Sequence, residues 1–179
     1  MAGFRRRGGG IVHRGSGVTV GRYDYDTPDG GSMVREVVHA HDGSVVVLPF
    51  TGSTVILLRQ FRAAVEAVIY ESPAGKRDVA GEDPADTARR ECIEEAGFEP
   101  GRLTLLHRFY NTPGYSDEES WLYLAEDLTA VPADPQGPEE TAAEVVELAL
   151  PEALGLVAAG EIKDAKTIIA LYALSRRLA

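Results

Sequence analysis

Residues 74–98 read AGKRDVAGEDPADTARRECIEEAGF, and the fold turns on how the second half of that stretch is read. Asp83 suits a helix N-cap, Pro84 the first turn, where its missing N–H costs nothing, and Gly97 the left-handed position that ends a helix. The spacing predicts a helix between those caps. At ~100° per residue, Ala85, Ala88, Cys92, Ile93 and Ala96 fall on one side and Glu91, Glu94 and Glu95 on the adjoining one. The helix should bury its apolar stripe and carry acids beside it. A solvated face explains acids in general, but these sit at i, i+3 and i+4, where like charges repel by a few tenths of a kcal/mol per pair. Two of them lie in the last turn, where the helix dipole also disfavours negative charge. Lysines would serve stability better. A hard divalent cation removes the penalty, because it takes a few carboxylates together with water and phosphate as ligands. Acids that repel one another then bridge the protein to an anionic substrate. Arg90, four residues before Glu94, can pair with the acids and fix their rotamers.

Outward from this helix the chain mixes strands and helices without regular alternation. VTVGRYDYD (18–26) and SMVREVVHA (32–40) read as strands about the turn TPDGG, and SVVVLPF (44–50) with TVILLRQF (54–61) reads as a hairpin. After the helix come strand-like LTLLHRFY, the loop NTPGYSDEES, strand WLYLAEDL, the proline-rich loop VPADPQGPEETAA and strand EVVELAL. Two helices close the chain, PEALGLVAAG with Pro151 in its first turn and Gly160 at its stop, and DAKTIIALYALSRRLA capped by Asp164. Several hairpin-like joins favour an α+β class, a mixed sheet with helices on its faces, over a doubly wound parallel sheet.

With 179 residues, 44% of them hydrophobic, the chain suits one compact core. Its formal net charge of −10 repels nucleic acid and anionic lipid. The lone Cys92 forms no intrachain disulfide and fits a reducing, cytoplasmic setting. No apolar run reaches the ~20 residues of a membrane span, and MAGFRRRGGGIVHRGSG lacks the apolar stretch of a signal peptide. Residues 1–16 read as a flexible Arg/Gly-rich tail. His39, His41 and His107 lack metal-ligand spacing and read as structural. Ser116, Asp117 and Glu118 resemble a serine-hydrolase set in composition alone, with no nucleophile elbow around them.

Gly75, Glu82, Arg90, Glu91, Glu94, Glu95 and Gly97, with Cys92 and Phe98 at apolar positions, resemble the Nudix box of hydrolases that cleave a nucleoside diphosphate linked to another group. The usual pattern has five residues between its glycine and first glutamate; here six, Lys76 to Gly81, intervene, and everything from Glu82 onward fits. YESPAG before the box, RQFR upstream, TPGYSDE after it, Pro113 sixteen residues beyond Gly97, and GEIKDAKTIIAL are similar to the ADP-ribose pyrophosphatase branch. The resemblance spans about residues 18 to 174. It implies an α/β/α sandwich, with an N-terminal antiparallel strand subdomain over 17–45, a hydrolase domain over 46–179, and a homodimer that exchanges N-terminal strands.

The same resemblance implies site roles. Glu91 and Glu95 would ligate Mg²⁺, for which Mn²⁺ can substitute, with Glu94 a further ligand or support and the Ala74 carbonyl another ligand, turned outward by a sharp bend at Gly75. Arg90 would orient the acids. The general base would come from GPEETAAE, as Glu139 or Glu140. Arg59 and Arg62 would reach phosphate or ribose, and Arg35 with Tyr23 or Tyr25 would hold or stack adenine, although the two tyrosines alternate along a strand and could simply pack. Gly75, Glu82, Pro113 and Gly114 would also lie against the substrate. The implied reaction is attack of water on a diphosphate phosphorus, ADP-ribose giving AMP and ribose 5-phosphate. Other nucleotide sugars (GDP-mannose, a UDP-sugar) or a dinucleotide are the alternatives, and a non-catalytic nucleotide sensor is a third class.

Overall fold

A computed structural model describes residues 3–15, 18–40 and 42–179. Its elements are β1 (Arg5–Arg14), β2 (Thr19–Asp26), β3 (Ser32–His39), β4 (Ser44–Pro49), β5 (Thr54–Arg62), β6 (Ala67–Glu71), β7 (Ala74–Lys76), α1 (Pro84–Ala96), β8 (Phe98–Tyr110), β9 (Glu119–Ala130), α2 (Pro138–Thr141), β10 (Glu144–Ala149), α3 (Leu150–Ala158) and α4 (Ala165–Leu178). Their contacts divide the chain into two compact units, Met1–Gly43 with Tyr110–Glu119, and Ser44–Phe109 with Ser120–Ala179.

The first unit is an antiparallel sheet in the order β1-β2-β3. The flexible tail expected over residues 1–16 is corrected here, because Arg5–Arg14 is a strand paired along β2. Almost every side chain of β1 is exposed, so no apolar alternation announces it. Backbone pairing carries it, helped by Arg5–Asp26 (3.0 Å) and Arg7–Asp26 (3.7 Å) ion pairs. Met1, Ala2 and Ser16 of that tail, Gly17, and His41 lie outside the described residues. The unit also takes in Tyr110–Glu119, which the expected boundaries placed elsewhere. That segment is laced to β3 by Val38 N to Tyr115 O (2.7 Å) and Asp117 N to Val38 O (3.2 Å). The Asp117 carboxylate accepts from Ala40 N (2.8 Å) and bonds His39 Nδ1 (2.6 Å), whose Nε2 meets the Tyr23 hydroxyl (2.8 Å). His39 is thus a satisfied structural histidine, as its sequence context suggests.

The second unit holds two sheets, ordered β7-β4-β9-β8 and β10-β5-β6. β4 runs parallel to β9 and antiparallel to β7, so β4 and β5 do not form the expected hairpin; a single Phe50–Val55 bridge joins their ends. Both strands are apolar runs, and β4 is buried along its whole length. Such a run offers no polar face to fix its partner. Alternation along β4 and β9 then makes two cores. Val46, Leu48, Leu122 and Leu124 pack with Leu57, Ala153, Leu171 and Leu174 on the side of α3 and α4. Val45, Val47, Tyr123 and Ala125 meet Ala88 and Cys92 of α1 on the other. Sheet between helices is the α/β/α arrangement the sequence implied. Among the described residues no helix is long and apolar enough to cross a membrane.

Candidate active site

Helix α1 begins and ends where its sequence says. The Asp83 side chain accepts from Ala85 N (2.9 Å), and Gly97 closes it at φ 71°, its N–H bonded to the Cys92 and Ile93 carbonyls. Its buried face is wider than the apolar stripe alone. Besides Ala88, Cys92 and Ala96 it includes Glu91 at 7% and Glu95 at 9% exposure, one turn apart.

What covers these carboxylates is β7. Ala74 N donates to Glu95 Oε2 (2.8 Å). A Cβ built on Gly75 would stand 2.0 Å from the Glu91 carboxyl. Gly75 is not in the left-handed region, so close approach rather than a sharp turn requires glycine there. Burial pushes Glu91 up to about 7 from an ordinary 4.5, with Arg90 opposing and Glu94 and Glu140 adding to the rise. Burial likewise lifts Glu95 to about 8, against the Ala74 N–H, with Glu91 and Glu140 raising it further and Arg62 lowering it. A second positive charge at the pair would reverse both shifts.

Arg90 lies beside Glu91. Its Nη1 donates to Glu91 Oε1 (2.9 Å) and Glu94 Oε2 (3.1 Å), and Nη2 reaches Asp78 (3.4 Å) and Glu82 (3.7 Å). Glu82 also accepts from the Thr87 hydroxyl (2.6 Å). Both loop acids lie in α2; Glu140 is half-buried and raises both Glu91 and Glu95, whereas Glu139 is exposed. Glu140 Oε2 accepts from Gln136 N (2.5 Å).

The two arginines of RQFR part company. Three residues apart on β5, they take opposite faces. Arg62 Nε donates to Glu71 Oε2 (2.6 Å), and Gln60 Nε2 joins the same oxygen (2.7 Å). Arg59 instead pairs with Glu144 (2.9 Å) and lies over the Tyr70 ring. Glu71 itself, 4% exposed and also approached by Lys166 Nζ (3.8 Å), was missed from sequence; a lone glutamate closing a strand gives no signal until its three cationic or amide partners converge.

In the first unit Tyr25, Arg35, Pro113 and Gly114 share a cavity of about 440 Å³ with Tyr110 and Tyr115, two aromatics that sequence reading passed over. Tyr23 is excluded from any stacking role: it is 4% exposed, its hydroxyl on His39 and its ring under the Arg6 guanidinium (3.4 Å). The alternation of β2 puts Tyr23 and Tyr25 on the same face, but only Tyr25, nearer the strand end, opens to the cavity.

Among the described residues no three His, Cys, Asp or Glu side chains converge as a complete metal cage. The donor set nevertheless fits a cation of the magnesium type, which is bound by one or two carboxylates and completed by water and substrate phosphate rather than by a full protein cage. Two buried, mutually disfavoured carboxylates beside a backbone pocket that a Cβ would fill make up that partial set.

Comparison with known proteins agrees with this geometry. The model of the NUDIX domain family matches residues 40–171. An ADP-ribose pyrophosphatase of Bacillus subtilis (strain 168) is 40% identical over 149 residues, 83% of this chain and 80% of its own. A GDP-mannose pyrophosphatase of Escherichia coli (strain K12) is 35% identical over 159 residues, 83% of this chain and 82% of its own. The crystal structure of an ADP compounds hydrolase superposes with a TM-score of 0.89 over 99% of this chain and 95% of its own at 23% identity, a likeness of fold. Capped acidic helix, glycine against carboxylate and matched family model converge: this chain is a member of the Nudix family, whose hydrolases generally need a divalent metal.

Proposed function

We propose that the protein hydrolyses the diphosphate of a nucleoside diphosphate derivative, with ADP-ribose the preferred substrate and Mg²⁺, or Mn²⁺ in its place, the cation. The observation that carries the reading is the pair Glu91 and Glu95, buried under β7 with their carboxyls pushed up to about 7 and about 8. Ionised carboxylates in such a place are costly unless a cation meets them. Glu91, Glu95 and the Ala74 carbonyl would hold it, with Glu94 in support. The bound cation would supply neutralisation of the charge that builds on the phosphate oxygens and a lowered pKa for water.

This chain's own side chains do the rest. Glu140, half-buried and electrically coupled to the acid pair, takes the proton of the attacking water. The new O–P bond forms as the bridging O–P bond breaks, and AMP and ribose 5-phosphate leave. Arg90 holds Glu91 and Glu94 in place. Arg62, whose charge reaches Glu95, faces the phosphates while Glu71 fixes its guanidinium. Within the first unit, Tyr25 and Arg35 line a cavity with Pro113 and Gly114 whose aromatic and cationic walls suit a nucleobase. β1 is an edge strand of its sheet and exposes Ile11 and Val12, with exposed Phe4 just before it, which supports a homodimer that exchanges N-terminal strands. Cys92, buried and with its thiol pushed up to about 12, suits a reducing cytoplasm.

The 40% identical relative named for ADP-ribose favours that substrate over GDP-mannose, a UDP-sugar or a dinucleotide. The deciding experiment ranks kcat/KM across these compounds with Mg²⁺ and with EDTA. AMP from ADP-ribose, lost on chelation, is the expected result; no cleavage of any of them would leave a nucleotide sensor as the reading. Gly75→Ala serves as a check on the geometry. Its methyl group would displace the Glu91 carboxylate, and since that carboxylate is the far end of a flexible side chain, turnover should fall at least about 10-fold while the melting temperature moves by only a few degrees.

A further inference from the structure

Arg90 is gripped from two directions. Its Nη1 faces the helix acids Glu91 and Glu94, whereas Nη2 faces Asp78 and Glu82, both from the segment between β7 and α1. That segment is the one that exceeds the usual box by a residue. Asp78 is 72% exposed and meets Arg90 at 3.4 Å. The residue before it is anchored more deeply. Arg77 turns inward and is half-buried, with its guanidinium 4.7 Å from the centroid of Trp121 on β9 and its Nη2 donating to the Glu82 carbonyl (3.0 Å). Arg108 of β8 lies 4.9 Å from the same ring. One side chain thus ties the segment to the sheet at Trp121 and to the start of α1 at Glu82, with Asp78 fixed between the two ties.

We propose that Arg77 is a positioning residue of the active site: set against the Trp121 ring and bonded to the Glu82 carbonyl, it keeps Asp78 on the outer side of Arg90 and so limits how far Arg90 neutralises Glu91 and Glu94. Without Arg77 the exposed Asp78 drifts into solvent while Glu82 stays on the Thr87 hydroxyl, and the Arg90 Nη2 freed from Asp78 turns toward the helix acids. A guanidinium bound bidentately to a carboxylate competes with a cation for the same oxygens. Arg77 therefore sets cation affinity without touching cation or substrate. The inference rests on the proposed reading of Glu91 and Glu95 as cation ligands.

The test uses full-length protein and Mn²⁺ alone, titrated by electron paramagnetic resonance in the absence of substrate, followed by ADP-ribose kinetics. Arg77→Ala is expected to raise the Mn²⁺ Kd about 10-fold, the lower end for an outer partner of a ligand, with KM for ADP-ribose at saturating Mn²⁺ changed by less than about twofold. Trp121→Leu should give the same shift, and the double variant no more than either alone, because the two residues form one contact. Arg77→Lys keeps the charge and a donor for Glu82 but loses the guanidinium at the Trp121 ring, so it should recover part of the affinity; it and Trp121→Phe also carry the test should the alanine variant fold poorly. A lowered melting temperature with Mn²⁺ affinity within twofold of wild type would overturn the role of Arg77 and leave the cation site standing. Wild-type protein that binds no Mn²⁺ would overturn both.

Discussion

Glu95→Gln is expected to lower turnover of ADP-ribose by about 100-fold or more, since even the outer partners of metal ligands are worth roughly 10–100-fold. The same substitution should stabilise the cation-free protein at alkaline pH. Glu95 carries an ordinary carboxyl value of 4.5 when unfolded and about 8 when folded, chiefly because burial penalises its charge. Between those values the folded chain keeps a proton that the unfolded chain has lost, so stability falls as pH rises through the window from 4.5 to about 8. Glutamine has no charge to bury, and its one amide oxygen can still accept from Ala74 N–H. In EDTA, urea unfolding at about pH 9 should therefore show the variant more stable than wild type by on the order of 1–3 kcal/mol, with the two converging below about pH 5. Saturating Mg²⁺ should erase the gap from the wild-type side, because binding to the folded state alone adds stability. A variant that loses activity and stability together at every pH would mean that Glu95 is merely structural.

Glu140→Gln is expected to reduce kcat by about 10²–10⁴-fold, the usual worth of a general base, with KM for ADP-ribose within about threefold of wild type. Its neighbour supplies the control. Glu139→Gln should change kcat by less than about threefold, since that carboxylate is exposed, whereas Glu140 is half-buried and raises both Glu91 and Glu95. Single-turnover rates at saturating Mg²⁺ separate the chemical step from product release. Equal losses in the two variants would assign the effect to the short α2 turn rather than to one carboxylate.

Much of the site is legible before any coordinates. Caps at Asp83 and Gly97 and the 3.6-residue period place α1 and, on it, the three glutamates, because those features are local and their physics acts within one helix. Local rules fail wherever a residue's partner is distant in the chain. Arg59 and Arg62 look equivalent in RQFR until the pleat of β5 sends one to Glu144 and the other to Glu71. Tyr23 and Tyr25 look alike until His39 and Arg6 close over the first. β1 gives no periodic signal at all, since an exposed edge strand held by backbone bonds needs no apolar alternation. Arg77 reads as one more loop arginine, and only Trp121, 44 positions on, gives it a place.

The sequence by itself determined the family, the acidic helix with its ends, and the chemistry that clustered carboxylates imply, because spacing along one helix fixes which side chains share a face. Tertiary structure alone decided that β4 joins β9 rather than β5, that Glu140 is half-buried while Glu139 is exposed, and that Gly75 is glycine because the Glu91 carboxyl occupies the space of its missing Cβ. Each of those depends on which distant segment packs alongside, and an apolar strand or an exposed loop carries no local mark of its neighbour.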